Sequence, residues 1–222
     1  MNPDRAASLD VLRQLLGRPD APISRASRSE IATVHLADSL AGLEFAELTS
    51  ADRVADIGSG AGLPGLPLAA SQPDSRWELI EATTKKCRFI ESAVEAMDLR
   101  NVSVRPLRTE EFSRDPEGRE GFDLVTARAV GSLSTTAELA SPLLRPGGHL
   151  MIWRGVRDRA SEREFEASVG PRLALETVEV RHVEPYPGSR ERHIHLLRKN
   201  GATPEDLPRR AGLAAKRPFG IE

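Results

Sequence analysis

Arg53-Val54-Ala55-Asp56-Ile57-Gly58-Ser59-Gly60-Ala61-Gly62-Leu63-Pro64-Gly65-Leu66-Pro67-Leu68-Ala69-Ala70 carries the fold assignment. Residues 54–57 form a short apolar strand candidate, 58–65 carry four glycines in eight positions, and 66–70 read as a brief helix. Strand, tight turn and helix make half of a βαβ unit. The glycines let the backbone reverse and approach a ligand with no Cβ in the way. Spacing alone leaves that ligand open. Gly-x-Gly-x-x-Gly can be laid only from Gly60, through Gly62 to Gly65, and a nicotinamide dinucleotide binder also shows it. Asp56, two residues before the first glycine, and Glu81, about 20 residues further on, discriminate better. Glu81 closes the next strand candidate, where a carboxylate can accept both hydroxyls of a ribose.

On the carboxyl side of this stretch the alternation continues. Residues 77–80 are a second strand, 85–97 a helix with Phe89, Ile90, Val94 and Met97 on one face, and 102–104 a third strand. Residues 122–126 and 149–153 are further strands, separated by a helix at 133–144 and a turn at Pro146-Gly147-Gly148. This pattern predicts an α/β fold, a Rossmann-like, doubly wound, mostly parallel sheet. Residues 157–169 read as a charged, mostly exposed helix, and 177–183 and 193–197 as the last strands. Upstream, Leu9, Leu12, Leu15 and Leu16 have helical spacing over 4–16, and Gly17-Arg18-Pro19 stops that helix. After a polar link at 18–26, Ser27-x-x-Glu30 has capping-box spacing ahead of a helix over about 29–40. The expected organisation is an N-terminal helical cap at 1–45, an α/β domain at 46–200 and a basic tail at 201–222.

Composition narrows the function classes. With 222 residues, 39% of them hydrophobic, the chain can bury one substantial core. It has no run near the roughly 18 apolar residues of a spanning helix, and no apolar leader, so a soluble, cytoplasmic monomer is expected. The single cysteine, Cys87, excludes an internal disulfide and a multi-cysteine zinc site, and no metal site is expected. Cys87 falls inside the 85–97 helix as a packed thiol rather than a nucleophile, which disfavours cysteine-dependent methylation of pyrimidines. A net charge of −2 offers no global attraction to nucleic acid, so any such contact needs a local basic surface.

The acidic-x-Gly-x-Gly-x-Gly pattern from Asp56 resembles the adenosylmethionine loop of Rossmann-like methyltransferases. The longer run Asp-Ile-Gly-Ser-Gly-Ala-Gly-Leu-Pro-Gly-Leu-Pro-Leu, 56–68, is similar to the ribosomal RNA small subunit methyltransferase G family. Val34-His35-Leu36-Ala37-Asp38-Ser39-Leu40 resembles that family's His-x-x-Asp-Ser helix, and Phe122-Asp123-Leu124-Val125-Thr126-Ala127-Arg128-Ala129-Val130 its fourth strand. Pro142-Leu143-Leu144-Arg145-Pro146-Gly147-Gly148 is common to many methyltransferases, while Glu191-Arg192-His193 and Pro208-Arg209-Arg210-Ala211-Gly212 resemble family features near the end. The resemblance spans about residues 30–218. It lacks the family's longer N-terminal helical region and an Asn-Leu-Thr segment before the His-x-x-Asp-Ser helix.

The resemblance implies S-adenosylmethionine as cofactor, with Gly58, Gly60 and Leu63 lining it, Thr109 and Glu110 holding its adenine end, and Arg128 closing the site. Without the resemblance, Thr109-Glu110-Glu111 reads better as a helix start with an acidic first turn than as a ligand contact. Arg128, beyond the fourth strand, could pair Asp56, another carboxylate or a phosphate, or simply face solvent. His35 and Asp38 are one helical turn apart, which suits a structural clasp or the rim of a base pocket. The implied substrate is a guanine N7 in small-subunit (16S) ribosomal RNA, free or within the 30S particle. Arg209, Arg210, Lys216 and Arg217 are the expected RNA contacts. Guanine N7 has an in-plane lone pair and no proton to lose, so no catalytic acid or base is expected. After the fourth strand the chain reads Thr126-Ala127-Arg128-Ala129, without the Asn/Asp-Pro-Pro-aromatic element of amino-directed enzymes. Three alternatives stay open: a small-molecule methyltransferase on the same fold, a nicotinamide-dependent oxidoreductase, and a silent RNA-binding protein.

Overall fold

Val54 and Ala55 are fully buried and Ile57 nearly so, because β1 (Arg53–Ile57) runs through the middle of a seven-stranded sheet. The computed structural model describes residues 3–24, 28 and 30–220. β1 lies between β2 (Arg76–Ile80) and β4 (Phe122–Arg128), with β3 (Val102–Arg105) and β5 (Leu144–Arg154) outside them, all parallel. β7 (His193–Lys199) runs antiparallel between β5 and β6 (Leu175–His182), giving the order β3-β2-β1-β4-β5-β7-β6. The Rossmann-like, mostly parallel expectation holds.

The side-chain period of two sorts the strands into two cores. Val54, Leu124, Met151, Trp153 and Leu196 face one cluster; Ala55, Val125, Leu150, Ile152 and Leu197 face the other. The first is covered by α1 (Pro3–Leu16), α2 (Ala37–Leu40), α3 (Ala46–Thr49), α4 (Gly65–Ala69) and α5 (Thr84–Ala96). On this side Leu12, Leu16, Phe45, Leu48, Leu66 and Ile90 are wholly buried. The second is covered by α6 (Thr109–Phe112), α7 (Leu133–Ala140), α8 (Arg159–Glu164) and α9 (Gly170–Arg172). The N-terminal elements therefore share the sheet's own core. No helix among the described residues is long and apolar enough to cross a membrane.

Several local expectations need correction. The capping-box residue Ser27 lies outside the described residues, as does Ser29, and Glu30 makes no side-chain cap. The expected helix over 29–40 is a wide π-helical segment (Ile31–Leu36) running into α2, then a 3-10 turn (Ala41–Glu44). Its amides bunch, with Val34 and His35 both donating to Glu30 O. The helix expected over 133–144 ends at Ala140, because Pro142 shifts the chain into a 3-10 turn and Leu144 already pairs with Phe122. Pro146-Gly147-Gly148 is thus an irregularity within β5 rather than a turn before it. The 157–169 segment is helical but less exposed than expected: Phe165 and Val169 are each 1% exposed.

The tail departs furthest from expectation. A polar stretch without periodicity would be disordered alone, yet here Leu207 and Ala214 are buried and α10 (Leu213–Lys216) closes the chain. It is pinned mainly through its backbone. Arg114 donates to Pro208 O and Arg209 O at 3.0 Å, Arg119 to Leu207 O at 2.9 Å, and Thr135 Oγ1 to Ala214 O at 3.2 Å. Backbone pinning of this kind leaves no hydrophobic period to read.

Candidate cofactor and acceptor site

At the carboxyl end of β1 the chain reverses at Gly58, whose φ of +61° is left-handed and where a Cβ would lie 3.0 Å from Val130 Cγ2. Gly65 serves a different need, since a Cβ there would fall 2.8 Å from Asp56 Oδ2. Asp56 is wholly buried; its Oδ1 accepts the Thr126 hydroxyl at 2.8 Å and its Oδ2 meets no donor. Burial pushes its carboxyl up to about 6 against the hydrogen bond from Thr126. Asp56 sits under the loop and lines neither cavity beside it.

Glu81 follows β2 directly and is 6% exposed. Its Oε2 accepts Gly60 N at 3.0 Å and its Oε1 accepts Thr83 N at 2.8 Å, with Lys86 Nζ 3.6 Å away. Burial opposes ionisation, but the Thr83 and Gly60 hydrogen bonds and Lys86 outweigh it and hold the carboxyl below its ordinary value. Glu81 is one wall of a cavity of about 220 Å³ with Gly58, Leu107, Thr109, Glu110, Val130 and Gly212. Thr109 and Glu110 open α6 and are each 8% exposed, so the helix-start reading and the cavity-wall reading both hold for them. Glu110 Oε1 accepts Gly212 N at 2.6 Å, which draws the tail over this cavity.

On the other side of Gly58 a second cavity of about 230 Å³ is lined by Ile23, His35, Gly60, Leu63, Lys86 and Arg128. His35 Nε2 has no hydrogen-bond partner, and burial, with Arg128 nearby, lowers its pKa so that it stays neutral. Arg128 ends β4 rather than lying beyond it, and it does not hydrogen-bond Asp56. Its Nη1 donates to Asp38 Oδ2 at 3.0 Å, His35 O at 3.2 Å and Ser39 Oγ at 3.2 Å. The clasp reading of the His-x-x-Asp-Ser turn is realised, reinforced by Trp153 Nε1 donating to Asp38 O at 2.8 Å, while His35 and Asp38 each also line a cavity.

A third cavity, of about 260 Å³, opens across the ends of β4 and β5 among Asp38, Arg128, Thr136, Trp153, Arg154 and Arg192. It shares Arg128 and Ala129 with the second cavity and Val130 with the first. Ala129 holds a left-handed φ of 58° at this junction, strain of the kind that concentrates at functional sites. Three adjoining cavities lie at the carboxyl edge of the parallel strands, where doubly wound folds bind their ligands.

The model of the family rRNA small subunit methyltransferase G matches residues 22–194. The chain belongs to this family. A ribosomal RNA small subunit methyltransferase G of Rubrobacter xylanophilus is 40% identical over 188 residues, 83% of this chain and 72% of the relative. One from Roseiflexus castenholzii is 40% identical over 192 residues, 86% and 80% of the two chains. Among solved structures, Aeropyrum pernix fibrillarin with natively bound S-adenosyl-L-methionine has a TM-score of 0.56 at 20% identity, covering 72% of each chain. A CurJ carbon methyltransferase has a TM-score of 0.59 at 14% identity, covering 90% of this chain and 68% of that one. Such distant likenesses show the fold, that of the S-adenosylmethionine-dependent methyltransferases.

Within this family frame the residues fit S-adenosylmethionine. The Glu81 carboxylate has about four acceptor positions, of which the loop uses two, leaving capacity for ribose hydroxyls. Gly58 keeps the middle of the site clear, and the orphaned His35 Nε2 offers a polar partner in the second cavity. Gly58, Gly60, Leu63, Glu81, Thr109, Glu110 and Arg128 all line one or other of the first two cavities. Cys87 is 2% exposed and donates to Glu81 O at 3.0 Å, a packed thiol whose pKa burial raises.

The expected RNA contacts divide. Arg209 is drawn inwards: its Nε donates to Glu138 Oε1 at 2.6 Å and its Nη2 to Arg217 O at 2.8 Å, which removes it from the exposed set. Arg210, Lys216 and Arg217 are exposed. Sequence reasoning missed the tail's wall of Gly212, Ala214 and Ala215, together with Ile23, Thr136, Trp153 and Arg154. The family-like Pro208-Arg209-Arg210-Ala211-Gly212 run was the one signal for the tail wall. Nothing local distinguished the others.

Proposed function

We propose that the chain transfers the methyl group of S-adenosylmethionine to N7 of a guanine in 16S ribosomal RNA, in the cytoplasm, as a monomer. The observation that carries this reading is the third cavity. It adjoins the second through Arg128 and Ala129, and Asp38, its one carboxylate, is already paired with Arg128. No free carboxylate or histidine is among its lining residues, so it suits a nucleophile that brings its own lone pair and has no proton to surrender.

The cofactor supplies a methyl group activated by its sulfonium. The remaining task falls to positioning. Glu81 and the Thr109-Glu110 wall would hold the ribose and adenine side, and the loop from Gly58 to Leu63 would orient the other end toward Ala129. Ile152 and Trp153, from opposite faces of β5, are the large apolar residues among those lining the acceptor cavity. Arg210, Lys216 and Arg217, on the tail that closes the first cavity, are the proposed phosphate contacts.

The test is incubation of the protein with labelled S-adenosylmethionine and small subunits purified from cells lacking the modification, or their deproteinised RNA. Nuclease digestion and mass spectrometry then identify the labelled nucleoside. Label in 7-methylguanosine at one site supports the reading. Cofactor binding without transfer to either substrate overturns it and favours a small-molecule acceptor.

A further inference from the structure

Three arginines line the acceptor cavity, and two of them have protein partners. Arg128 is held by Asp38, His35 O and Ser39 Oγ. Arg192 donates to Tyr186 Oη at 3.0 Å and lies 3.9 Å from Asp38 Oδ1. Arg154, the last residue of β5, is half-buried, and its guanidinium makes no hydrogen bond or ion pair among the described residues. The two carboxylates whose charge it feels, Glu162 and Asp158, are already taken. Glu162 is held bidentately by Arg157, and Asp158 caps α8 through the Ala160 and Ser161 amides. A guanidinium carries five donors, and those of Arg154 have no protein acceptor among the described residues, which leaves them open to a ligand in the cavity. The same cavity holds a second unsatisfied group: Thr136 is 1% exposed and its hydroxyl has no partner. Gly155, next to Arg154, is fixed by His193 Nδ1 at 3.1 Å from its carbonyl, so the end of β5 is anchored.

We propose that Arg154 is the residue that selects guanine in this cavity, by donating to O6 of the acceptor base. The inference rests on the methyltransferase reading above. If N7 is the atom that receives the methyl group, it must stay free, and O6 is the acceptor beside it on the same edge. Adenine carries an amino donor at that position, which cannot accept from a guanidinium. The cavity, at about 260 Å³, is smaller than the roughly 300–1,000 Å³ that holds a drug-sized ligand, a size that suits one planar base. Arg128 is held through Nη1 and Arg192 through Nε, whereas Arg154 has no partner on any of its nitrogens among the described residues. A site built to hydrogen-bond one substrate atom rejects an analogue lacking it far more strongly than an apolar pocket does.

The experiment compares the wild type with Arg154→Ala and Arg154→Lys, on small-subunit RNA bearing guanosine or 2-aminopurine riboside at the methylated position. The 2-aminopurine base keeps N7 and the 2-amino group but lacks O6. Adenosylhomocysteine binding by calorimetry and the thermal midpoint report the cofactor site and folding separately. The expected result is that wild type loses about 10- to 100-fold in kcat/KM on the O6-less substrate. R154A should lose a similar factor on guanosine, show no further preference between the bases, and bind adenosylhomocysteine as wild type does. R154K, with one compact donor group, should recover part of the preference. Wild-type preference retained in R154A, or a loss in R154A that is equal for both bases and vanishes at low salt, makes Arg154 a phosphate contact and overturns the inference. Wild type inactive on guanosine overturns the methyltransferase reading and this inference with it.

Discussion

Among single residues, two buried carboxylates beside one loop behave in opposite ways, and their partners explain it. Glu81 accepts two backbone amides and stays ionised, whereas Asp56 has one hydroxyl donor and an orphaned oxygen. On the proposed role of Glu81 as ribose acceptor, each charge-assisted bond is worth about 1.5–3 kcal/mol, so Glu81→Ala should raise the dissociation constant for S-adenosylmethionine at least tenfold by calorimetry. An unchanged constant would remove Glu81 from the site. Asp56 makes a prediction in pH. Burial raises its folded pKa from 3.8 to about 6, so its favourable contribution is complete below 3.8 and is lost as the pH rises through about 6. A rise of that size corresponds to about 3 kcal/mol. Asp56→Asn should therefore be relatively more stable at pH 7 than at pH 4 when each is compared with wild type by denaturant unfolding. Parallel pH profiles for the two proteins would show that the orphaned oxygen finds a partner in solution.

Among the elements, the tail shows how a segment without a hydrophobic period becomes part of a site. Its carbonyls are gathered by Arg114, Arg119 and Thr135, and its Gly212 amide by Glu110. The tail's buried ion pair is Arg209 to Glu138, whose side chain is 3% exposed. Phe219 stacks on the same guanidinium, with Arg209 Cζ 3.8 Å from the ring centroid. Arg209→Ala leaves Glu138 as an uncompensated buried charge, a loss that typically costs about 3–5 kcal/mol. The variant is expected to lose about 3 kcal/mol in denaturant unfolding, with weaker cofactor binding because the Gly212–Ala215 wall loosens. The double variant Arg209→Ala with Glu138→Leu should regain stability, and its failure to do so would locate the cost elsewhere.

For the molecule as a whole, a net charge of −2 means that RNA affinity must come from a local surface rather than a global field. Arg210, Lys216 and Arg217 are exposed on the segment that also lines the first cavity through Gly212, Ala214 and Ala215. Each phosphate contact contributes roughly 0.7–0.9 to the slope of log affinity against log salt. Replacing all three residues by alanine should flatten that slope by about 2–3 in filter-binding titrations, while the thermal midpoint moves little. A lower affinity with the slope intact would place the phosphate contacts on another face.

The sheet, the glycine loop and its two acidic neighbours are legible in the sequence alone. Those features rest on local patterns: the apolar run of Val54 to Ile57, the density of glycine where a strand must reverse, and a carboxylate at the end of the next strand. The same local logic placed Cys87 inside its helix and Thr109-Glu110 at a helix start. Other features were settled only when distant segments met. Arg128 and Asp38 are 90 residues apart in the chain, and Glu110 and Gly212 are 102 apart, so no window of sequence could pair them. Arg209 looks like Arg210 in the sequence, and only the buried Glu138 opposite it decides that one turns inward while the other stays in solvent. The free guanidinium of Arg154 is likewise a tertiary fact, because a side chain is uncommitted only after every neighbour has been counted. Periodicity and turn chemistry act over a few residues and are written locally, whereas pairing of buried polar groups depends on which surfaces the fold brings together.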